Sequence, residues 1–332
     1  MALKKAAPQQ ARLKVGIYGP PGSGKTFTAL LLAEGLAQRE GKRVAYFDTE
    51  RGTDFYAMAV KERAVHPEAF DFDAAYTASL ADITEEAHAL DPAEYGVIVV
   101  DSISHVWDAA INAYTGKRTS KDTIPFNAWG TIKKPYKALL RFLLDSPFHV
   151  LILGRQKNIF ESDGDETKKV GVGMRAEGET EYEPHLCFRM ESRKGAAGQR
   201  AEVYAIVEKD RTGVLAGKVL PNPSFSTFAP LLPLLGNEQA KGEDPDEVAA
   251  KDGELLRQED DKVAGKLAKS AALLADFRGA LLGAPALEAL ATVAKDIKKQ
   301  SKYLTDDHRG ALLAIYEERR KVLVERLAPQ EV

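Results

Sequence analysis

Eight consecutive residues, Gly19-Pro20-Pro21-Gly22-Ser23-Gly24-Lys25-Thr26, meet every defined position of the phosphate-cradling loop G-x-x-x-x-G-K-[ST]. Such a loop needs a strand that ends in the core before it and a helix that starts at the phosphates after it. Leu13 to Tyr18 is a short apolar run of strand length, and Phe27 to Gln38 carries apolar residues at helical spacing. The glycines let backbone N–H groups converge, and the helix N-terminus directs the positive end of its dipole to the same point. A glycine-rich turn that merely contains Lys-Thr is the bland alternative, and both flanks count against it. The loop predicts ATP, with Lys25 on its β- and γ-phosphates, Thr26 on Mg²⁺, and Phe27 completing the nucleotide-binding set.

Length and composition set outer bounds. At 332 residues the chain has room for one substantial α/β domain and a small module. It has no apolar run of the ~18 residues that a membrane span needs, and no basic start leading into an apolar stretch. The expectation is no membrane and a cytoplasmic setting, to which the single cysteine, Cys187, adds a reducing environment. Net charge is −3, but charge is segregated: Asp71 to Asp108 holds acidic residues with no Lys or Arg, whereas Ile111 to Arg141 holds seven Lys and Arg against Asp122 alone. A solvated helix face and a surface for polyanions both fit the basic segment.

Residues 1–12 read as an N-terminal arm. Strand patterns at Arg43 to Asp48, Tyr95 to Asp101 and Phe148 to Leu153 alternate with helical ones at Leu80 to Ala89 and Lys133 to Leu144, which argues a doubly wound, mostly parallel α/β sheet. Further runs at Glu183 to Glu191, Ala201 to Glu208 and Val214 to Leu220 alternate as antiparallel strands do, and predict an extension of that sheet. Between them Asn158 to Thr180 is polar and glycine-rich and predicts a long functional loop. The core thus runs over 13–236, followed by a charged linker at 237–265 and a helical module at 266–328 with helices near Leu267 to Leu282, Pro285 to Lys299 and Thr305 to Leu327. Pro285 suits a first helical turn, and Thr305 suits a cap.

A P-loop ATPase needs a second oxygen ligand for magnesium at the end of a buried strand, and Val97-Ile98-Val99-Val100-Asp101 supplies it. Ser102 follows where AAA+ ATPases and many helicases carry a water-orienting glutamate. Glu50, closing the strand Arg43 to Asp48, is the candidate for that role, because carboxyl ends of parallel strands line one crevice. Its plain alternative is a turn residue paired with Arg51.

With Phe47-Asp48-Thr49-Glu50 and Val100-Asp101-Ser102 the chain resembles the RecA-type ATPases over roughly residues 12–235. The resemblance implies a RecA-like core, catalytic Glu50, and a γ-phosphate switch at Gln156 that leads into a DNA-binding loop. It also implies a first DNA loop near Thr115 to Phe126, where the basic segment falls. Lys117, Arg118 and Lys121 there, and Lys168, Lys169 and Arg175 in the second loop, become candidates for the single-stranded DNA backbone. Phe126 and Trp129 are candidate base-stacking rings, Trp129 being equally suited to the core. Lys209-Asp210-Arg211-Thr212-Gly213 resembles the element by which ring helicases and recombinases reach a neighbour's γ-phosphate, which implies a homo-oligomer, filament or ring, with Lys209 and Arg211 acting in trans; a charged hairpin turn is the alternative.

Within that group the small core is similar to phage single-strand annealing proteins and recombinases. The function implied is ATP-dependent annealing or strand exchange. Other readings are a ring-helicase-like or KaiC-like motor or switch, a small-molecule kinase, and an adaptor that binds nucleotide without hydrolysing it. The C-terminal helices are candidates for a protein partner or DNA.

Overall fold

A computed structural model describes residues 12–116, 124–163, 166–195, 201–236 and 245–327, which fall into two units, 1–242 and 243–332. The first is a sheet with helices on both faces. In chain order it holds β1 (Lys14–Gly19), α1 (Lys25–Glu40), β2 (Arg43–Asp48), β3 (Asp73–Ala75), α2 (Leu80–Ala89), β4 (Tyr95–Asp101), α3 (Ile103–Thr115) and α4 (Trp129–Asp145). Then come β5 (His149–Asp163), β6 (Glu166–Met174), β7 (Leu186–Arg193), β8 (Glu202–Asp210), β9 (Val219–Pro221) and the short α5 (Phe225–Phe228).

Strands run in the order β3-β2-β4-β5-β1-β7-β8-β9, with β6 paired to β5 alone. All neighbours from β3 to β7 are parallel, and β8 and β9 are antiparallel, so the expected extension is present. Its last strand is shorter than the run Val214 to Leu220 suggests, because turns at Gly213 and Gly217, both with positive φ, occupy most of it.

Period-two alternation explains the two buried layers. Val97 and Val99 of β4 join Val15, Ile17, Leu151 and Leu153 under α1, while Ile98 and Val100 join Val150 and Ile152 under α3 and α4. Trp129 packs on this second layer beside Trp107, with ring centroids 6.3 Å apart, whereas Phe126 is 95 % exposed. Cys187 is a buried core residue whose thiol burial pushes up to about 12.

The segment Asn158 to Thr180 is not a loop. β5 continues to Asp163 and pairs with β6 through registers from Gln156↔Met174 to Asp163↔Glu166. A two-stranded ribbon satisfies its backbone mutually and does not need a buried face, so its polar composition hid it; Asp163-Gly164 was the turn signal.

The second unit contains α6 (Pro245–Gly283), α7 (Leu287–Gln300) and α8 (Asp306–Leu327) around buried Leu281, Leu290, Leu304, Leu312 and Leu323. From Pro245 onward the expected linker is the first part of α6, since its Ala, Glu, Leu, Lys and Arg are strong helix formers and Asp246 and Glu247 suit the N-terminal dipole. Pro285 lies just ahead of α7 rather than in its first turn. Thr305 caps α8, its Oγ1 accepting from His308 N at 3.3 Å.

Candidate active site

The phosphate loop leaves β1 at Gly19 and enters α1 at Lys25. Gly22 and Gly24 have φ of 71° and 86°, a left-handed backbone that aims the loop amides inward and that side chains resist. Lys25 Nζ donates to Gly19 O at 3.1 Å and Pro20 O at 2.9 Å, which folds the lysine over the loop. Burial lowers the Lys25 pKa, Asp101 and Glu50 oppose this, and Arg155 adds to the lowering. Ser23 Oγ is buried and has no hydrogen-bond partner among the described residues. A buried polar atom without a partner inside a ring of converging amides fits a phosphate oxygen.

Thr26 Oγ1 donates to Asp101 Oδ2 at 2.7 Å, and Tyr46 OH donates to the same oxygen at 2.8 Å. Burial raises the Asp101 pKa, and these two hydrogen bonds oppose the rise. A hydroxyl and a carboxylate are hard oxygen donors of the kind Mg²⁺ takes, one or two from protein with the rest from water and phosphate. No cluster of three or more His, Cys, Asp or Glu suited to a metal occurs among the described residues, which agrees with so sparse a protein contribution. Thr26 and Asp101 would hold Mg²⁺, which neutralises charge on the β- and γ-phosphate oxygens when bound.

Glu50 sits at the neighbouring strand end. Asp48 shapes its turn: Oδ1 accepts from Glu50 N at 2.8 Å, and Oδ2 accepts from Thr53 N at 3.0 Å and Thr53 Oγ1 at 2.6 Å. Thr49 ties that turn to β4, its N–H donating to Asp101 O at 2.7 Å while its Oγ1 accepts from Ser102 N at 2.9 Å, across a cis Asp101–Ser102 peptide. Ser102 Oγ then donates to Glu50 Oε1 at 3.3 Å. The serine after the magnesium aspartate thus contacts the candidate water-orienting glutamate.

The residue that reaches Glu50 from β5 is Arg155, not Gln156. Its Nε and Nη2 both donate to Glu50 Oε1, at 3.2 and 3.1 Å. Successive strand side chains face opposite ways, so the one-residue offset decides which of the two enters the crevice. Gln156 Oε1 is buried without a hydrogen-bond partner among the described residues. The sequence signal for Arg155 was its place beside Gln156, but only the pairing Gly19↔Arg155 reveals its level.

Lys209 and Arg211 do not approach this crevice. β8 runs antiparallel and ends level with Cys187, which pairs with Gly16 near the start of β1, at the other end of the sheet from the loop. Both side chains donate to Tyr182 O, Arg211 Nη2 at 3.1 Å. Lys168 and Lys169 lie on the β5–β6 hairpin, exposed. Arg175 is ion-paired to Asp108 of α3 at 2.7 Å. Lys117, Arg118 and Lys121 lie outside the described residues.

A cavity of about 740 Å³ adjoins the loop, bordered by Gly24, Phe27, Thr28, Arg63, Val203 and Asn222. Phe27, expected at the nucleotide, lines it and packs against Tyr56 and Phe70 at 6.0 and 5.8 Å. Arg63 builds the facing wall: its two Nη atoms donate to the carbonyls of Phe55, Met58, His66 and Glu68, gathering the connection between β2 and β3. Nothing in local spacing pointed to Arg63, Asn222 or Tyr46.

The model of a family described as "AAA domain" (AAA_24) matches residues 11–204, more than half of the chain. No curated protein matches. Among solved structures, the ATPase domain of a helicase shares 15 % identity over 64 % of this chain and 80 % of that one, with a TM-score of 0.41, a level at which it adds nothing to the sheet order given above. The matched span of the family takes in the phosphate loop, Glu50, Asp101 and Arg155, and the chain belongs to this AAA-domain family as a P-loop ATPase with a RecA-like fold.

Proposed function

We propose that this ATPase binds single-stranded DNA in an ATP- and Mg²⁺-dependent manner and promotes annealing or strand exchange in homologous recombination, in the way its resemblance to phage recombination proteins implies. The observation that carries the reading is the β5–β6 hairpin. One strand runs from Arg155, at the level of the phosphate loop, into a ribbon whose Ile159, Phe160 and Val170 are exposed, Phe160 by 57 %. Lys169 stands opposite Phe160, and Lys168 opposite Glu161. Aromatic faces stack on bases whatever their identity, and lysines beside them hold the backbone, which is the chemistry of a single strand gripped without sequence readout. Lys117, Arg118 and Lys121 join this role from the sequence alone.

Placement of Lys209 and Arg211 at the far end of the sheet supports the view that they serve a neighbouring protomer's nucleotide in a filament or ring. That placement suits a ring-forming, helicase-like motor equally well, which is the second reading.

ATPase rate with and without single-stranded oligonucleotide tests the proposal, together with an ATP-dependent gel shift. Stimulation with a shift is expected. Absence of both effects would sink the DNA role, and displacement of a strand from a forked duplex by closed rings would favour the motor.

A further inference from the structure

One guanidinium faces two anionic positions at the mouth of the site. Arg155 is held by its backbone, N–H donating to Ser104 Oγ at 2.8 Å and carbonyl accepting from Arg175 N at 2.6 Å, in register with Gly19. Its side chain is 44 % exposed and engages Glu50 through a single oxygen, Oε1. An ion pair this exposed is weak. The fork that holds a carboxylate also matches a phosphate, whose greater negative charge makes it the stronger anion for it. Arg155 is also close enough to lower the Lys25 pKa, and Lys25 is the residue the motif assigns to the γ-phosphate.

We infer that Arg155 senses the γ-phosphate by exchange: its guanidinium holds Glu50 until the terminal phosphate of bound ATP replaces the carboxylate as its partner, which releases Glu50 to orient the attacking water. This rests on the reading of Glu50 as the water-orienting group. In the step so enabled, the water oxygen bonds to the γ-phosphorus as the bond to the β,γ-bridging oxygen breaks. ADP leaves with the electron pair, and the proton of the water passes to the released phosphate. Loss of the γ-phosphate returns Arg155 to Glu50, and the site rests. Gln156, next in the chain, has no such contact with Glu50.

Calorimetric titration of the full chain with ADP and with the imido analogue of ATP, both with Mg²⁺, tests this in wild type, Arg155→Met and Arg155→Lys. Arg155→Met is expected to weaken the ATP analogue roughly tenfold and ADP less than about twofold, since only the analogue offers the phosphate that the arginine would bind. Arg155→Lys, which keeps charge without the fork, is expected to fall between, and it decides on the same criterion if the methionine variant fails to fold. Equal weakening of both nucleotides means a structural role and overturns the inference. Unchanged analogue affinity with a reduced kcat means that Arg155 stays on Glu50 throughout turnover, and overturns it as well. Failure of the wild type to bind ADP overturns the nucleotide-site reading itself, and the exchange with it.

Discussion

Thr26 Oγ1 and Asp101 Oδ2 lie 2.7 Å apart, although 75 residues separate them in the chain. The bond joins the first turn of α1 to the end of β4, and so sets the two oxygens that would hold Mg²⁺ side by side before any ion arrives. Asp101→Asn keeps the shape but removes the charge, so ATPase activity is expected to fall ~100-fold or more, with saturation moved to higher Mg²⁺. A magnesium titration of the initial rate checks it. Tyr46→Phe, which deletes only the second donor to the same oxygen, is expected to cost about 1 kcal/mol of stability by denaturant unfolding.

Gly24→Ala is expected to impair both folding and nucleotide binding. Its φ of 86° is left-handed, and an added Cβ would stand 3.0 Å from Val203 Cγ1. Strain of this kind costs roughly 1–2 kcal/mol, and relief by backbone rotation turns loop amides away from the phosphates. Unfolding midpoint and ADP affinity are the two readouts, and both are expected to drop.

Stability is expected to fall as pH drops below 6.5. Burial lowers the His149 pKa from 6.5 against the pull of Glu40, and burial with nearby Arg211, Lys14 and Lys209 takes His185 to about 4. Leu13 N donates to His149 Nδ1 at 2.9 Å, so a proton on that nitrogen would break the contact between the starts of β1 and β5. Below 6.5 the unfolded chain therefore binds more protons than the folded one, and the stability present above 6.5 is lost on acidification. Denaturant unfolding at pH 7.5 and 5 is expected to differ by on the order of 2 kcal/mol, with a flatter dependence in a His149→Gln, His185→Gln variant.

On the hairpin, Lys168→Ala with Lys169→Ala is expected to weaken single-stranded DNA binding about tenfold and to reduce the salt slope by ~1–2. Phe160→Ala is expected to cost a similar factor with little change in the slope, because stacking is not ionic. Fluorescence anisotropy over a range of salt separates the two effects. ATPase rate without DNA is expected to be unchanged, since none of the three touches the crevice.

Mixtures of Lys25→Ala and Arg211→Ala protein are expected to recover activity that neither has alone. Such mixtures assemble some sites with an intact phosphate loop from one protomer and an intact Arg211 from its neighbour. Rate against mixing ratio is the measurement. A purely additive line would mean that the site is complete within one protomer.

Residues 19 to 26 and the run Tyr95 to Asp101 were legible without coordinates, because a phosphate loop and a buried strand are contiguous stretches of backbone whose chemistry follows from adjacent side chains. The strand and helix alternation carried the fold class for the same reason, and Glu50 followed from the rule that parallel strands end together. Register was not legible. It decided that Arg155 rather than Gln156 meets Glu50, and that the stretch from Asn158 onward is a paired ribbon. It also set Lys209 and Arg211 at the far end of the sheet from the loop. Each of these depends on which residues of distant strands stand side by side, and hydrogen bonds between strands set that only once the sheet is assembled. The sequence by itself determined that a triphosphate binds between β1 and α1; the assembled sheet alone decided which cation stands beside its candidate glutamate.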